Sequence, residues 1–286
     1  MVIVIYLFVI LFSVTQSAGA KLFNRHSSDA VVFNAVKALS ALVPFALMAA
    51  FGFTFHLPTL FYGTLYGVCL CLSMLAGYKA LTLGPMALTS MLCAFSVLIP
   101  LAWGVAVMHE RMTLLQSIAL VLLLASIVLI NLRGIRAKAS TTPKNHRAWL
   151  LFIGITFLCN GICSILQKQH QSAYPGSYSR EFMLFAMLFC SVIFSAIAIF
   201  NGKPKRFSAV KGKRYGVISG VANGLASFFT LILAGFENAS VLFPLVSAGT
   251  ILGALLCGRL LFREKLSLNH YFALALGILA AVFLKL

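Results

Sequence analysis

The sequence predicts an all-α membrane protein with ten transmembrane helices, arranged as two inverted five-helix repeats. Composition, the spacing of apolar segments and an internal repeat each lead to this prediction. Of the 286 residues, 61% are hydrophobic and only 9% are charged, whereas soluble domains are about half apolar and about a quarter charged. Ten spans of about 21 residues would fill most of this length and leave short connections. The composition therefore excludes an ordinary soluble enzyme.

The net charge of +17 also fits a membrane protein better than a nucleic-acid-binding protein. Proteins that bind nucleic acids spread Lys and Arg over a water-exposed face. In this chain the basic residues occupy the short gaps between apolar segments, which is where they orient membrane helices. We therefore expect the lipid bilayer to surround the protein, and we expect no nucleic-acid partner.

Ten apolar segments define the predicted helices. They are residues 1–20, 30–51, 57–79, 84–108, 114–132, 148–167, 181–200, 214–235, 239–262 and 268–286. No charge precedes Lys21, whereas a signal peptide begins with a positive region. We therefore expect the first segment to remain as a membrane helix.

Local signals mark where several of these helices begin. A polar turn from Lys21 to Asp29 separates the first two segments, and Gly84-Pro85 makes a tight break before the fourth. Thr113 and Gln116 have the spacing of a capping box at the start of the fifth helix. Ser267 is placed to cap the tenth helix in the same way.

Two polar stretches are long enough to connect groups of helices. Arg133 to Arg147 divides the chain almost in half, and Asn201 to Arg214 carries a second basic cluster. We therefore predict a first five-helix repeat over residues 1–133, a basic linker over 134–147 and a second five-helix repeat over 148–286.

An internal repeat is the most informative feature of the sequence. Shifted by 154 residues, the segments of helices 4 and 5 align with those of helices 9 and 10 without a gap. The aligned pairs are Ala80 with Ala234, Leu88 with Leu242, Gly104 with Gly258, Glu110-Arg111 with Glu264-Lys265, and Thr113 with Ser267. Earlier pairs are Gly63, Gly67 and Cys71 with Gly216, Gly220 and Gly224 at a shift of 153, and Ser17 and Lys21 with Ser164 and Lys168 at a shift of 147.

The number of helices in each half determines their relative direction. Because five is odd, the second half must enter the bilayer in the opposite direction to the first. Inverted repeats are typical of secondary transporters, whose substrate site lies between the halves near the bilayer midplane. The repeat therefore predicts transport by alternating access.

Two pairs of segments resemble the ten-helix EamA-like members of the drug/metabolite transporter superfamily. They are Gly84-Pro-Met-Ala-Leu-Thr-Ser90 with His109-Glu-Arg-Met-Thr113, and Asn238-Ala-Ser-Val-Leu-Phe-Pro244 with Phe262-Arg-Glu-Lys-Leu-Ser267. Each pair is similar to the family's helix-4 segment, which ends in a Glu-Arg/Lys-Leu-Thr/Ser turn. The first pair departs from this pattern, because Met112 stands where the family usually has Leu. The resemblance covers essentially the whole chain and implies transport. The family's substrates range over amino acids, sugars, nucleotide-sugars and drugs.

The acidic residues argue against one transport mechanism. All five lie at predicted helix ends, namely Asp29, Glu110, Glu181, Glu237 and Glu264. Exchange of protons for cationic drugs usually needs a carboxylate inside the membrane. We therefore favour an anionic or zwitterionic solute, although Glu237 could still dip into a cavity.

Lys37 is the first candidate for substrate binding. It lies eight residues into helix 2, about 12 Å along the helix axis. A lysine at this depth costs about 2.5–3.5 kcal/mol on insertion scales, so it should face a cavity or reach the interface. Snorkelling of the long side chain is the alternative interpretation.

The other candidates are polar side chains that recur on helix faces. Gln16 lies on a polar stripe of helix 1, Asn160 and Ser164 on one of helix 6, Asn223 on a face of helix 8, and Tyr78 near one mouth of the path. Helix packing is the alternative role for these side chains, and interfacial anchoring is the alternative for Tyr78. We expect no catalytic residue, bound cofactor or metal, and we expect the seven cysteines to serve as apolar packing residues.

Three classes of function remain open from the sequence. The first class is a transporter that moves a small polar metabolite across a cell membrane of the bacterial inner-membrane type, and it explains the repeat. A multidrug exporter of the same superfamily is an alternative within this class. An integral-membrane enzyme would need catalytic groups at matched spacing, and the adjacent pair His109-Glu110 aligns with Arg263-Glu264. A scaffold would not require two inverted halves. A homodimer is compatible with each class.

Two arguments disagree about orientation. Seventeen of the 22 Lys and Arg residues lie in the connections after helices 1, 3, 5, 7 and 9, against four on the other side. The positive-inside rule then places both termini outside the cytoplasm. The family resemblance implies cytoplasmic termini. We favour the orientation given by the charges, because the bias is large and lies in short connections.

Overall fold

A computed structural model describes residues 2–24, 29–137, 145–200, 212–263 and 267–286. Its helices are α1 (Val2–Asn24), α2 (Ala30–Ala50), α3 (Leu57–Leu83), α4 (Met86–Ala94), α5 (Leu98–Ala106), α6 (Leu114–Ala137), α7 (His146–Ala173), α8 (Ser179–Phe200), α9 (Lys213–Ala234), α10 (Ala239–Leu260) and α11 (Leu268–Lys285). A short 3-10 turn, Phe95–Val97, joins α4 to α5. The described ranges contain no β-strand.

Ten segments of the described chain are long and apolar enough to cross a membrane. Each has at least 18 residues, close to the ~20 residues that span a bilayer. The fourth span, Leu88–Ala106, includes the 3-10 turn. The ten predicted segments are thereby confirmed, and the chain is an all-α multi-pass membrane protein.

The predicted helix starts have the expected caps. The Asp29 carboxylate accepts hydrogen bonds from the backbone N–H groups of Val31 and Val32 at the start of α2. Thr113 and Gln116 exchange two hydrogen bonds of 3.1 and 3.2 Å before α6. Ser267 and His270 form the corresponding capping box before α11. Parts of the predicted connections, residues 25–28, 138–144 and 201–211, and the pair Glu264-Lys265 lie outside the described residues.

Two turns that the sequence alignment pairs have the same backbone conformation. His109 has φ = 53° and Arg263 has φ = 52°, a left-handed conformation that is uncommon for residues other than glycine. The preceding helices end at Ala106 and Leu260, and the following helices begin at Leu114 and Leu268. The local structure therefore recurs at the shift of 154 residues that aligns the two sequences.

The chain forms two compact units that do not follow the halves of the sequence. The first contains Met1–Cys71 and Leu166–Phe236, and the second contains Leu72–Ile165 and Glu237–Leu286. Each unit thus combines segments from before and after the basic linker. The repeat boundaries at residues 133 and 148 remain a prediction about the sequence and are not boundaries of compact units.

In the first unit, α9 packs against both α1 and α2, and α2 packs against α8. The contact between α9 and α2 follows Gly216, Gly220 and Gly224. A Cβ atom at Gly216 would lie 3.0 Å from the side chain of Val36, and one at Gly220 would overlap the carbonyl oxygen of Lys37. Because only glycine fits at Gly220, the two backbones approach closely there.

The aligned glycines of α3 form the same kind of contact with α8. A Cβ atom at Gly63 would lie 2.7 Å from the carbonyl oxygen of Phe182, and one at Gly67 would lie 2.5 Å from that of Ala186. The predicted small-residue spacing therefore brings two helix pairs of the first unit together, α3 with α8 and α9 with α2.

The second unit packs α6 against α11, α10 against α11 and α5, and α4 against α6. One of its buried clusters contains Leu123, Ile127, Ala248 and Ala280. Glu110 joins the turn after α5 to the start of α10, because its two carboxylate oxygens accept hydrogen bonds of 2.8 Å from the N–H groups of Ala239 and Ser240. A carboxylate at a helix N-terminus also interacts favourably with the helix dipole.

We predict that Gly220→Ala destabilises the protein. The added methyl group would overlap the Lys37 carbonyl oxygen, and overpacking of this kind costs about 1–3 kcal/mol. The thermal unfolding temperature of the purified protein, followed by loss of the monodisperse chromatographic peak, should fall. Gly154→Ala is the matched control, because nothing lies within 4 Å of a Cβ there. Equal unfolding temperatures for the two variants would contradict the prediction.

Candidate functional site

Lys37 lies at the centre of the candidate site in the first unit. Its side chain projects from α2, and the residue is only 7% exposed. The described residues place no carboxylate within ion-pairing distance of its ammonium group. The thiol of Cys190 on α8 lies within electrostatic range. A cation buried in a span without a counter-charge is expensive, so this position favours an incoming negative charge.

Gln16 and Asn223 lie close to the level of Lys37 along α9. The hydroxyl of Ser219 donates a hydrogen bond of 2.9 Å to the backbone carbonyl of Gln16 on α1. The next residue, Gly220, faces the carbonyl of Lys37 on α2. Asn223 follows one helical turn later and is buried. The backbones of Gln16 and Lys37 therefore contact α9 within one helical turn of Asn223.

The hydrogen-bond partners of the polar residues distinguish those that hold α9 against other helices from those that could bind a ligand. Tyr66 donates to the Ser227 hydroxyl at 3.3 Å, and Gln167 donates to the Ser227 carbonyl at 3.0 Å. Ser227 therefore holds helices together. In the described part of the chain, the side-chain amides of Gln16 and Asn223 have no hydrogen-bond partner. Their donors and acceptors are available to a ligand, as is the ammonium group of Lys37.

The remaining predicted residues belong to the second unit. The Ser73 hydroxyl donates a hydrogen bond of 2.6 Å to Oδ1 of Asn160, and the Ser164 hydroxyl donates to the Asn160 carbonyl at 3.3 Å. Both interactions link or support helices α3 and α7. Tyr78 is 39% exposed on α3, as an interfacial residue would be. The contacts of Asn160 and Ser164 are those of packing residues, although the Asn160 amide retains donors.

Lys168, on the predicted stripe of helix 6, caps another helix. Its Nζ donates a hydrogen bond of 3.1 Å to the carbonyl of Ala234, the last residue of α9. A lysine at a helix C-terminus satisfies an unpaired carbonyl and interacts favourably with the negative end of the dipole. Lys168 is buried, and this hydrogen bond accounts for the presence of a second positive charge inside the first unit.

Sequence reasoning missed a buried polar network near the ends of α3, α7 and α8. Oγ1 of Thr59 lies 2.8 Å from Nδ1 of His56 and 3.0 Å from Nε2 of His170. Nδ1 of His170 lies 3.2 Å from Nε2 of Gln171. Thr59 and His170 are fully buried. The network therefore connects the start of α3 to the end of α7.

The orientation of the Gln171 side-chain amide determines which atoms of the network donate hydrogen bonds and which accept them. Its Oε1 accepts a hydrogen bond from the backbone N–H of Gly176, and its Nε2 donates to the hydroxyl of Ser179. Nε2 therefore also donates to Nδ1 of His170, which makes His170 a donor through Nε2 to Thr59. The Thr59 hydroxyl then donates to His56.

An aromatic layer covers the network. The ring of His56 stacks on that of Tyr178 at a centroid distance of 4.2 Å and meets Tyr174 edge-on at 4.7 Å. Tyr178 has φ = 54°. The sequence does contain a polar run around His170 followed by two tyrosines, and this run could have indicated the site. Thr59, however, lies 111 residues from His170, so no local pattern connects the two residues.

The described acidic residues are engaged near helix ends. Glu181, in the first turn of α8, lies 3.8 Å from Arg180, and Glu237 forms an ion pair with Lys285. Glu110 and Asp29 cap helices. No group of three or more potential metal ligands occurs among the described residues. Glu264 lies outside them.

Comparisons with known proteins support the fold. No family model and no curated protein matches the chain. Solved structures do match: 28 chains are similar, and one of them, the crystal structure of a protein, superposes with a TM-score of 0.77. The superposition covers 98% of this chain and 94% of that chain at 17% sequence identity. A likeness at this identity concerns the fold alone.

We predict that Thr59→Val lowers the thermal unfolding temperature. The substitution leaves polar atoms of His56 and His170 without a partner, and an unsatisfied buried group costs about 1–3 kcal/mol. Thr59→Ser keeps the hydroxyl and should retain most of the stability. Thr82→Val is the matched control, since the Thr82 hydroxyl is exposed and bonds only to the nearby Lys79 carbonyl. If Thr59→Val and Thr82→Val behave alike, the network does not stabilise this unit.

Proposed function

We propose that the chain is a transporter that moves a small polar metabolite across a cell membrane by alternating access. The observation that carries this proposal is that Lys37, Gln16 and Asn223 lie within about one turn along α9, while their side chains form no hydrogen bond in the described part of the chain. A protein that only had to span the bilayer would gain nothing from three large polar side chains without partners at this depth. A binding site for a polar solute uses them.

The sign of the charge favours an anionic or zwitterionic solute. Lys37 supplies a positive charge, and Gln16 and Asn223 supply amide donors and acceptors for further polar groups. The described carboxylates cap helices or pair with neighbouring basic residues. A permanent cation would meet Lys37 without a compensating negative charge.

Several local features support two inverted repeats. The left-handed residues His109 and Arg263 occupy aligned positions, and both following helices begin with a capping box. The aligned glycine runs of α3 and α9 pack on α8 and α2, which are themselves the second helices of the two halves. Five helices in each half make the repeats inverted, the arrangement that alternating access uses.

The sequence resemblance supports membership of the drug/metabolite transporter superfamily as an EamA-like transporter. Under this proposal the protein acts in a cell membrane of the bacterial inner-membrane type, binds a small-molecule substrate and needs no cofactor. A homodimer is compatible with it. A multidrug exporter of the same superfamily is the second candidate, and transport of quaternary ammonium dyes would favour it.

The contacts of Glu110 weaken the enzyme alternative. His109-Glu110 was the adjacent acid–His pair in the sequence, but both carboxylate oxygens of Glu110 accept hydrogen bonds from the start of α10. A carboxylate held in this way is poorly placed to exchange protons with a substrate. Solute uptake into vesicles also separates a transporter from a scaffold.

We predict that Lys37→Ala lowers transport more than Lys21→Ala at similar membrane levels. Lys37 lies within a span and lacks a carboxylate partner in the described chain, whereas Lys21 lies at the end of α1. Uptake from a panel of labelled anionic, zwitterionic and cationic metabolites into membrane vesicles measures the effect. Lys37→Arg should retain more uptake than Lys37→Ala, because it keeps the charge. Normal uptake by Lys37→Ala would show that snorkelling explains this residue.

A further inference from the structure

Two cysteines of the first unit lie in contact within the membrane span. Sγ of Cys71 on α3 lies 3.3 Å from Sγ of Cys190 on α8 and 3.8 Å from the Cys190 carbonyl oxygen. Each residue is 2% exposed, and each lies near the middle of its helix. Both are reduced. Nothing in the sequence pairs these two among the seven cysteines.

The packing of α3 on α8 suits a covalent link at this point. Cys71 continues the small-residue run of Gly63 and Gly67, whose positions leave no room for a Cβ atom against the backbone of α8. A disulfide requires Cα atoms about 4.4–6.8 Å apart and an S–S bond of about 2.05 Å. The backbones approach closely on this face of α3, and the two sulfurs already lie 3.3 Å apart.

The helix face of α3 distinguishes Cys71 from its neighbour Cys69. Cys69 lies on the same helix as Cys71 but points to a different face two residues away. Cys71 therefore lies on the face of α3 that packs against α8, as Gly63 and Gly67 do.

We propose that Cys71 and Cys190 are a redox-sensitive site that closes to a disulfide when the protein meets hydrogen peroxide, a small uncharged oxidant. The Cys190 sulfur attacks one peroxide oxygen and the O–O bond breaks; the departing hydroxide takes the thiol proton and leaves as water. The resulting sulfenic acid is attacked by the Cys71 sulfur, which forms the S–S bond and releases a second water with the Cys71 proton. Two thiols and one peroxide thus give one disulfide and two waters.

The disulfide fixes α3 to α8 across a chain separation of 119 residues. A link that closes so long a loop restricts the unfolded chain strongly. Oxidation should therefore raise the thermal unfolding temperature, and a reducing agent should reverse the rise. This site does not depend on the proposed transport activity, because its chemistry and its effect on stability are measured without a solute.

The test is thiol counting on the full chain in membrane vesicles. Vesicles are treated with hydrogen peroxide, denatured in excess alkylating agent and analysed by mass spectrometry with and without reduction. We expect two of the seven thiols to escape alkylation and a linked peptide pair that contains Cys71 and Cys190. Full alkylation after peroxide, or sulfinic acid at Cys190 without a linked peptide, would overturn the proposal.

Matched variants localise the reaction. Cys190→Ser and Cys71→Ser should abolish the linked peptide, and Cys190→Ala provides a second substitution in case one variant does not fold. Cys69→Ser, on the same helix at nearly the same depth, should leave the linked peptide unchanged. A linked peptide that persists in Cys190→Ser or disappears in Cys69→Ser would refute the assignment of the pair.

Discussion

The close contact between α9 and α2 at Gly220 is the interaction on which the first unit depends. Because Gly220 has no side chain, α9 can lie against the backbone carbonyl of Lys37. That contact buries Lys37 beside α9 and brings it level with Gln16, which α9 holds through Ser219. A single small residue therefore determines where a charge can lie within the membrane span.

The bilayer provides no water for buried polar groups, so each one must find a partner or face a cavity. This condition sorts the polar residues of the two units. Ser227, Lys168 and Asn160 each bond to a neighbouring helix, and their role in packing is accounted for. Lys37 and Asn223 are buried, yet in the described residues neither side chain forms a hydrogen bond. A polar solute could satisfy both groups. Trp103 Nε1 and the hydroxyls of Ser191 and Ser240 are also buried without a partner among the described residues.

Much of the fold could be predicted because its signals are local. Apolar length gave the ten spans, and residues three apart gave the capping boxes at Thr113 and Ser267. The glycine spacing of α9 indicated close packing, but not that α2 would be the neighbour. Small-residue contacts and helix caps depend on a few adjacent positions, so they can be recognised in one sequence without any knowledge of the tertiary structure.

The rest depends on contacts between distant parts of the chain. Thr59 meets His170 across 111 residues, and Cys71 meets Cys190 across 119; neither pairing has a local signature. Ser219 and Asn223 belong to one polar face in the sequence, yet Ser219 bonds to α1 while Asn223 does not. Which polar residue binds a ligand and which holds a helix depends on side-chain partners, and only the packed structure supplies them.

The central claim is that Lys37 holds the negative charge of a solute. The most direct measurement is the shift in thermal unfolding temperature that a panel of anionic, zwitterionic and quaternary ammonium solutes produces in the purified protein, since a ligand that binds the folded state stabilises it. The account predicts that at least one anionic or zwitterionic solute raises the temperature of the wild-type protein and has no such effect on Lys37→Ala. Stabilisation by quaternary ammonium solutes alone, or equal stabilisation of both proteins by the anionic solute, would contradict it.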